Sequence, residues 1–185
     1  MPLNSDLEEQ VLSSVRDLAN AKPLIDDDPS ASSRVFAVTS SLPISNLRFW
    51  ERTIRNELSW AVNRRSSYNL WVNKKPHGPW LTLFNGDGFR RAEALESISQ
   101  GAPNAFFFAI LLRRLNDWVP QVRAAARKSI DRIAADTENE FIIEALWGAL
   151  PHLHFWGRWR EPDKDALVDL VGIDDVPGLL ASRII

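Results

Sequence analysis

The sequence predicts an all-α protein built as a stack of antiparallel helix pairs, and three observations carry that expectation. Residues 103–134 read as two consecutive helices hinged at Asn116-Asp117. The first of them, 104–115, carries Phe106, Phe107, Phe108, Ile110, Leu111, Leu112 and Leu115, so it is apolar most of the way round and other elements must cover it on several sides. Residues 5–18 and 44–63 each show apolar side chains recurring at three- and four-residue spacing, the period of a helix with one buried face.

In chain order, 5–18 places Leu7, Val11, Val15 and Leu18 on one stripe, with Ser5 as the expected cap and Glu8 completing a capping box. Residues 20–43, which include Asp26-Asp27-Asp28-Pro29, read as a polar, turn-rich loop with a short extended piece at 35–38. The helix over 44–63 sets Leu47, Trp50, Ile54, Leu58 and Ala61 on one side and Arg48, Arg52 and Arg55 on another, with Ser45 as its cap. From 64 to 88, Tyr68, Trp71, Trp80 and Phe84 are scattered among Asn, Pro and Gly, which predicts a long irregular connection with an extended segment at 80–84. Asp87 then stands where it would cap a helix running through Arg91, Ala94 and Ile98.

After the apolar helix, Asp117 is the expected N-cap of the next one, and Pro120 falls in its first turn, where a missing N–H costs little. There Val119, Val122, Ala126, Ile130 and Ile133 form the stripe, and Arg123, Arg127, Lys128, Asp131 and Arg132 fall elsewhere on the wheel. Residues 137–150 read as a further inner helix with Phe141, Ile142, Leu146 and Leu150 inside. Trp50, Trp118 and Trp147 sit on helix stripes and are expected in the core. Pro151 and Pro162 bound an aromatic-rich loop or short turn, and 163–171 is a short helix capped by Asp163. The apolar tail ends on Ile184-Ile185, which is expected either to dock or to continue into a longer chain.

Leu115, Asp117, Val122, Arg123, Ala126 and Ile130, in the pattern Val-Arg-x-x-Ala-x-x-x-Ile after an aromatic inner helix, resemble a HEAT-like helical repeat. The resemblance implies a right-handed α-solenoid in which Asp117 and Arg123 are structural ladder residues, bonded to one another or to the neighbouring repeat. A shift of 32 residues aligns Arg91, Ala94 and Ile98 with Arg123, Ala126 and Ile130. One such unit cannot bury its own apolar face, so neighbours must be present, and the pattern fades toward both ends as terminal caps do. The expected organisation is one domain over 1–185, with N-terminal helices and an acidic loop in 1–63 and the HEAT-like stack in 87–185.

Composition bounds the function classes. With 185 residues, 45% apolar and 25% charged, the chain is an ordinary globular sequence. It contains no run of eighteen apolar residues, and its first residues lack a basic region followed by an apolar one, so no membrane span or secretory signal is predicted. The absence of cysteine rules out disulfides and thiolate metal sites and fits a cytoplasmic setting. Net charge is −2, laid out unevenly as −4 over residues 1–46, +5 over 47–85 and −4 over 161–185. Near neutrality argues against a dedicated DNA-binding domain, although a local basic patch would suffice for modest binding.

The sharpest candidate site is Phe155-Trp156-Gly157-Arg158-Trp159-Arg160. Alternating rings and guanidinium groups stack bases and hold phosphates, or anchor a partner protein. Cation–π packing of Arg158 and Arg160 over tryptophans at the end of the stack would explain the same residues. Arg113 and Arg114 either complement the negative end of their helix dipole or, with Arg127, line a concave binding surface. The basic face of Arg48, Arg52 and Arg55, with Arg64, Arg65, Lys74 and Lys75, suits an acidic partner or nucleic acid, and a solvated face pairing with Glu51 and the acidic N-terminus explains it equally well.

Catalytic anchors are missing. His152 and His154 with Glu140, Glu144 or Glu161 are suitable metal ligands, but their spacing is not diagnostic, and Asp26, Asp27 and Asp28 match no calcium loop. His77 stands alone, and the nucleophile-elbow, phosphate-loop and zinc-helix motifs are absent. No metal or cofactor is therefore expected. The sequence reads as a non-catalytic interaction module or scaffold whose partner is another protein. The alternative is a nucleic-acid-binding protein, or an enzyme similar in fold to the alkylpurine DNA glycosylases, acting through a Trp- and Arg-rich concave surface. A metal-dependent hydrolase resting on the two loop histidines is a third reading.

Overall fold

The apolar helix is where the fold is decided. In the computed structural model, which describes residues 5–20, 29–64, 78–158, 160–172 and 178, every residue from Ala105 to Leu112 is buried. The described residues form helices α1 (Ser5–Asn20), α2 (Pro29–Thr39), α3 (Leu47–Arg64), α4 (Gly78–Thr82), α5 (Gly88–Ser97), α6 (Ala105–Arg114), α7 (Pro120–Ala135), α8 (Asn139–Ala149) and α9 (Glu161–Val171). Short 3-10 turns at Ile44–Asn46 and Leu150–Phe155 complete them, and there is no strand among the described residues.

Helix α6 is enclosed by α3, α7 and α8, and its aromatic end is closed by rings from two more elements. Phe107 meets Phe36 of α2 edge-on at 5.0 Å, Trp80 of α4 at 6.0 Å and Phe84 at 5.9 Å. Phe84 also stacks on Phe106. Full burial of Phe84, Phe106 and Phe107 stabilises the fold by roughly 1.5–3 kcal/mol per ring. One continuous cluster of buried side chains runs from Val11 to Leu170.

Around that centre, α1 packs on α2 and α3, α5 on α7, α7 on α9, and α6 on α8. The two ends of α5 and α7 are tied separately. Arg91 in the first turn of α5 pairs with Asp117 just before α7, and Arg132 in the last turn of α7 donates to the carbonyl of Ile98 just after α5. The two helices therefore run side by side in the same direction. At the far end the chain is pressed close: Ala102 N donates to Thr137 Oγ1 at 2.8 Å, and a Cβ on Gly101 would lie 1.9 Å from the Asp136 carbonyl oxygen.

Several helix starts follow the sequence. Asp87 Oδ1 accepts from Phe89 N at 2.9 Å, and Asn104 Oδ1 accepts from Phe107 N at 3.1 Å. Asp117 lies two residues ahead of its expected capping position: Val119 is the cap, and Asp117 Oδ1 accepts the Val119 N–H at 3.0 Å. Asp163 likewise sits inside the first turn of α9, where its Oδ2 accepts from Arg160 N at 2.8 Å, and Arg160 is the cap. Ser5 already belongs to α1, and Ser45 lies in the 3-10 turn ahead of α3.

Four expectations are corrected. The extended piece at 35–38 is helix, because Val35 and Thr39, one turn apart, are both buried and Phe36 reaches Phe107. Thr39 Oγ1 donates to the Val35 carbonyl, and Asn104 Nδ2 donates to the Phe36 carbonyl at 2.8 Å, so tertiary contacts override the β-branched composition. The extended segment at 80–84 is a short helix and turn, in which Trp80, Leu81, Leu83 and Phe84 are all buried rather than alternating. Trp118 and Trp147 are 64% and 41% exposed: Trp118 lies in the α6–α7 turn, outside any helical wheel, and Trp147 falls beside the buried stripe of Ile142, Ala145, Leu146 and Ala149. Leu150 is exposed because the chain leaves α8 there for a 3-10 turn. Ala61, Arg64 and Arg65, Tyr68, Trp71, Lys74, Lys75, His77, Asp26 to Asp28 and the 179–185 tail lie outside the residues whose placement or side chains are described.

Candidate interaction surface

The expected site residues do not form one patch. Trp156 is buried, Arg158 and Arg160 are exposed, and Trp159 lies outside the described residues. Arg158 is placed by its backbone N–H, which donates to Asn116 Oδ1 at 2.9 Å and so ties the turn before α9 to the turn before α7. Arg127 is ion-paired with the buried Asp163. Arg113 and Arg114 both bind Glu51 of α3.

These contacts belong to a larger ionic cluster inside the molecule. Glu51 Oε1 accepts from Arg114 and from Arg55, the latter at 2.6 Å, and Glu51 Oε2 accepts from Arg113. Arg114 also donates to Asp117 Oδ2 at 2.8 Å. Asp117 in turn takes Arg91 as a bidentate partner, with contacts of 3.0 and 2.7 Å. Backbone carbonyls complete the shell: Arg55 Nε donates to Phe84 O, and Arg91 Nη1 donates to Asn85 O and Gly86 O.

Burial works against the charged form of Glu51, but the guanidinium groups of Arg114, Arg113 and Arg55 outweigh it and lower its pKa to about 2. Asp117 is lowered in the same way: burial opposes ionisation, and hydrogen bonds from Arg91 and Val119 N with the Arg114 charge prevail. For Arg114, burial favours the neutral form and the two carboxylates reverse it, raising the pKa. Arg55 is lowered by burial; Glu51 raises it, and the Arg114 and Arg91 charges push it down again.

The two ladder residues of the sequence reading occupy distinct places. Arg123 Nη1 donates to the Asp117 backbone carbonyl, six residues back, at 2.7 Å. Arg91 makes the same six-residue contact to the Asn85 carbonyl at 2.7 Å, and Asn85 Oδ1 accepts from Asp87 N as Asp117 Oδ1 accepts from Val119 N. Asn85 and Asp87 thus stand to Arg91 as Asp117 and Val119 stand to Arg123 in these bonds. For Glu51 only the pairing with Arg55, one turn along the same helix, had a local signal; Arg113 and Arg114 reach it from a helix far away in sequence.

The outer face presents large aromatics. Phe89 is 72% exposed, Trp118 64% and Phe155 75%. Phe89 is in the first turn of α5, Trp118 directly precedes α7, and Phe155 ends the 3-10 turn before α9. Arg91, two residues after Phe89, lies 5.9 Å from the centre of the Trp118 ring, and the Asn116–Arg158 bond joins the turn that carries Trp118 to the turn that follows Phe155. No group of three or more His, Asp or Glu side chains suited to a metal is present among the described residues. None of the helices described is long and apolar enough to cross a membrane.

No protein-family model matches the chain, and comparison with curated proteins and with solved structures gives no match.

Proposed function

We propose that the protein is a non-catalytic interaction module, a HEAT-like stack of helix pairs that binds a protein partner along the edge marked by Phe89, Trp118 and Phe155. The observation that carries this reading is the exposure of those three rings at the starts of α5 and α7 and ahead of α9. Aromatic side chains left in water at linked positions cost solvation that a partner recovers, and such rings dominate binding energy at protein interfaces. The HEAT-like assignment is supported by the packing of α5 on α7, α7 on α9 and α6 on α8, and by the matching bonds of Arg91 and Arg123. The nucleic-acid reading draws less support, since Trp156 is buried and Arg114 and Arg127 are paired with internal carboxylates.

The test is affinity purification from the native cell with the wild-type chain and with the triple variant Phe89→Ser, Trp118→Ser, Phe155→Ser. At least a tenfold loss of a specific co-purified protein is expected, with a thermal midpoint within about 2 °C, because exposed substitutions change stability little. Equal recovery by both chains, or recovery of nucleic acid alone, would overturn the proposal.

A further inference from the structure

The ionic cluster holds more positive charge than it can use internally. Four guanidinium groups, Arg55, Arg91, Arg113 and Arg114, are ion-paired with two carboxylates, Glu51 and Asp117. That leaves an excess of two positive charges, and Arg123 on the Asp117 carbonyl adds a further cation. The carbonyls of Phe84, Asn85 and Gly86 accept N–H groups but carry no net charge. Among the described acids on either side, Glu57 pairs with Arg16 and Asp87 caps α5 through Phe89 N, and neither is bonded to these four guanidinium groups.

The excess reaches solvent at two places. Arg91 and Arg114 side chains are 1% and 3% exposed, whereas those of Arg55 and Arg113 are 33% and 28% exposed. Arg113 uses only Nε, on Glu51, so the N–H groups of Nη1 and Nη2 have no acceptor among the described residues. Arg55 uses Nε and Nη2 and keeps Nη1. Both side chains touch the oxygens of one carboxylate, so their contacting nitrogens lie within about 8 Å of each other, two hydrogen-bond lengths plus the width of that group. Arg48 and Arg52, exposed on the same helix, have no ion-pair partner among the described residues and add to the local field.

We propose that Arg55 and Arg113 form a binding site for a dianionic phosphoryl group, either free phosphate or a phosphate monoester. A phosphate would take the N–H groups that Glu51 and Phe84 O leave over, Nη1 of Arg55 and Nη1 and Nη2 of Arg113, as charge-assisted hydrogen bonds. Its charge of about −2 matches the excess in the ion-paired cluster, which a monoanion would only halve. The site uses residues separate from the aromatic edge, so it stands whether or not that edge binds a protein.

The experiment is calorimetric titration of the full chain at fixed ionic strength with inorganic phosphate, phosphoserine, methyl phosphate and dimethyl phosphate. Methyl phosphate is expected to bind at least tenfold more tightly than its monoanionic dimethyl ester. Arg113→Gln and Arg55→Gln should each weaken it at least tenfold, while Arg90→Gln, on another helix, leaves it unchanged. Tighter binding of phosphoserine than of inorganic phosphate would point to a phosphorylated partner, and the reverse order to the free ion. Arg113→Lys keeps the charge and loses the fork, so an intermediate affinity with an unchanged thermal midpoint separates binding from folding. Equal affinity for the mono- and diester, or affinity for methyl phosphate that is undiminished in folded Arg113→Gln, would overturn the site.

Discussion

Arg91 and Asp117, 26 residues apart, form a bidentate ion pair with contacts of 3.0 and 2.7 Å and side chains only 1% and 2% exposed. The pair joins the first turn of α5 to the turn that starts α7. Removing Asp117 strands the Arg91 charge away from water, and removing Arg91 leaves Asp117 to Arg114 alone, so either loss costs more than the pair itself contributes.

Arg91→Ala and Asp117→Asn are each expected to destabilise the protein by about 3–5 kcal/mol. At this chain length that lowers the thermal midpoint by roughly 10 °C. The double variant Arg91→Ala, Asp117→Asn should lose less than the sum of the two single changes, because each single change already breaks the same ion pair. Chemical denaturation of the three proteins checks this, and strict additivity would show that the two side chains act independently.

Acid should weaken the fold through Glu51. Its folded-state pKa of about 2 lies below the ordinary carboxylate value of 4.5, so its contribution is complete above about pH 4.5 and is lost as pH falls toward 2. The shift corresponds to about 3 kcal/mol, and Asp117, also lowered, adds a loss of the same sign. Urea unfolding at pH 7, 4.5, 3 and 2 should trace that decline. Glu51→Gln should be less stable at pH 7 and show a flatter dependence below pH 4.5; a slope as steep as wild type would place the titrating group elsewhere.

Gly101 is required by close approach. A Cβ there would sit 1.9 Å from the Asp136 carbonyl oxygen and 2.8 Å from Thr137 N, both backbone atoms that cannot swing aside. Gly101→Ala should cost about 1–3 kcal/mol, the range for overpacking, and loosen the bond from Ala102 N to Thr137. Gly86→Ala meets nothing within 4 Å and should leave the unfolding midpoint almost unchanged. Equal midpoints for the two variants would mean that the α5–α6 and α7–α8 turns are not held together there.

Sequence alone determined the helices whose apolar residues repeat at helical spacing and are covered on one side or all round. The stripe of Val122, Ala126, Ile130 and Ile133 is wholly buried, and the all-round apolar character of α6 demanded the enclosure it has. Local capping by Asp87 was legible because it depends on a short, fixed spacing. Tertiary structure alone decided that Val35 to Thr39 are helical, since only contact with Phe107 and Asn104 favours that state over an extended one. It also decided which charges are buried. Arg114 and Glu51 look like surface residues in a one-dimensional reading, and they become interior partners only because α3 brings a carboxylate to the end of α6. Trp118, expected in the core, is exposed, and Trp156, for which both binding and packing stood open, is buried, for the same reason: whether a ring in a turn meets solvent or core depends on the elements that pack beyond it, which no local pattern encodes.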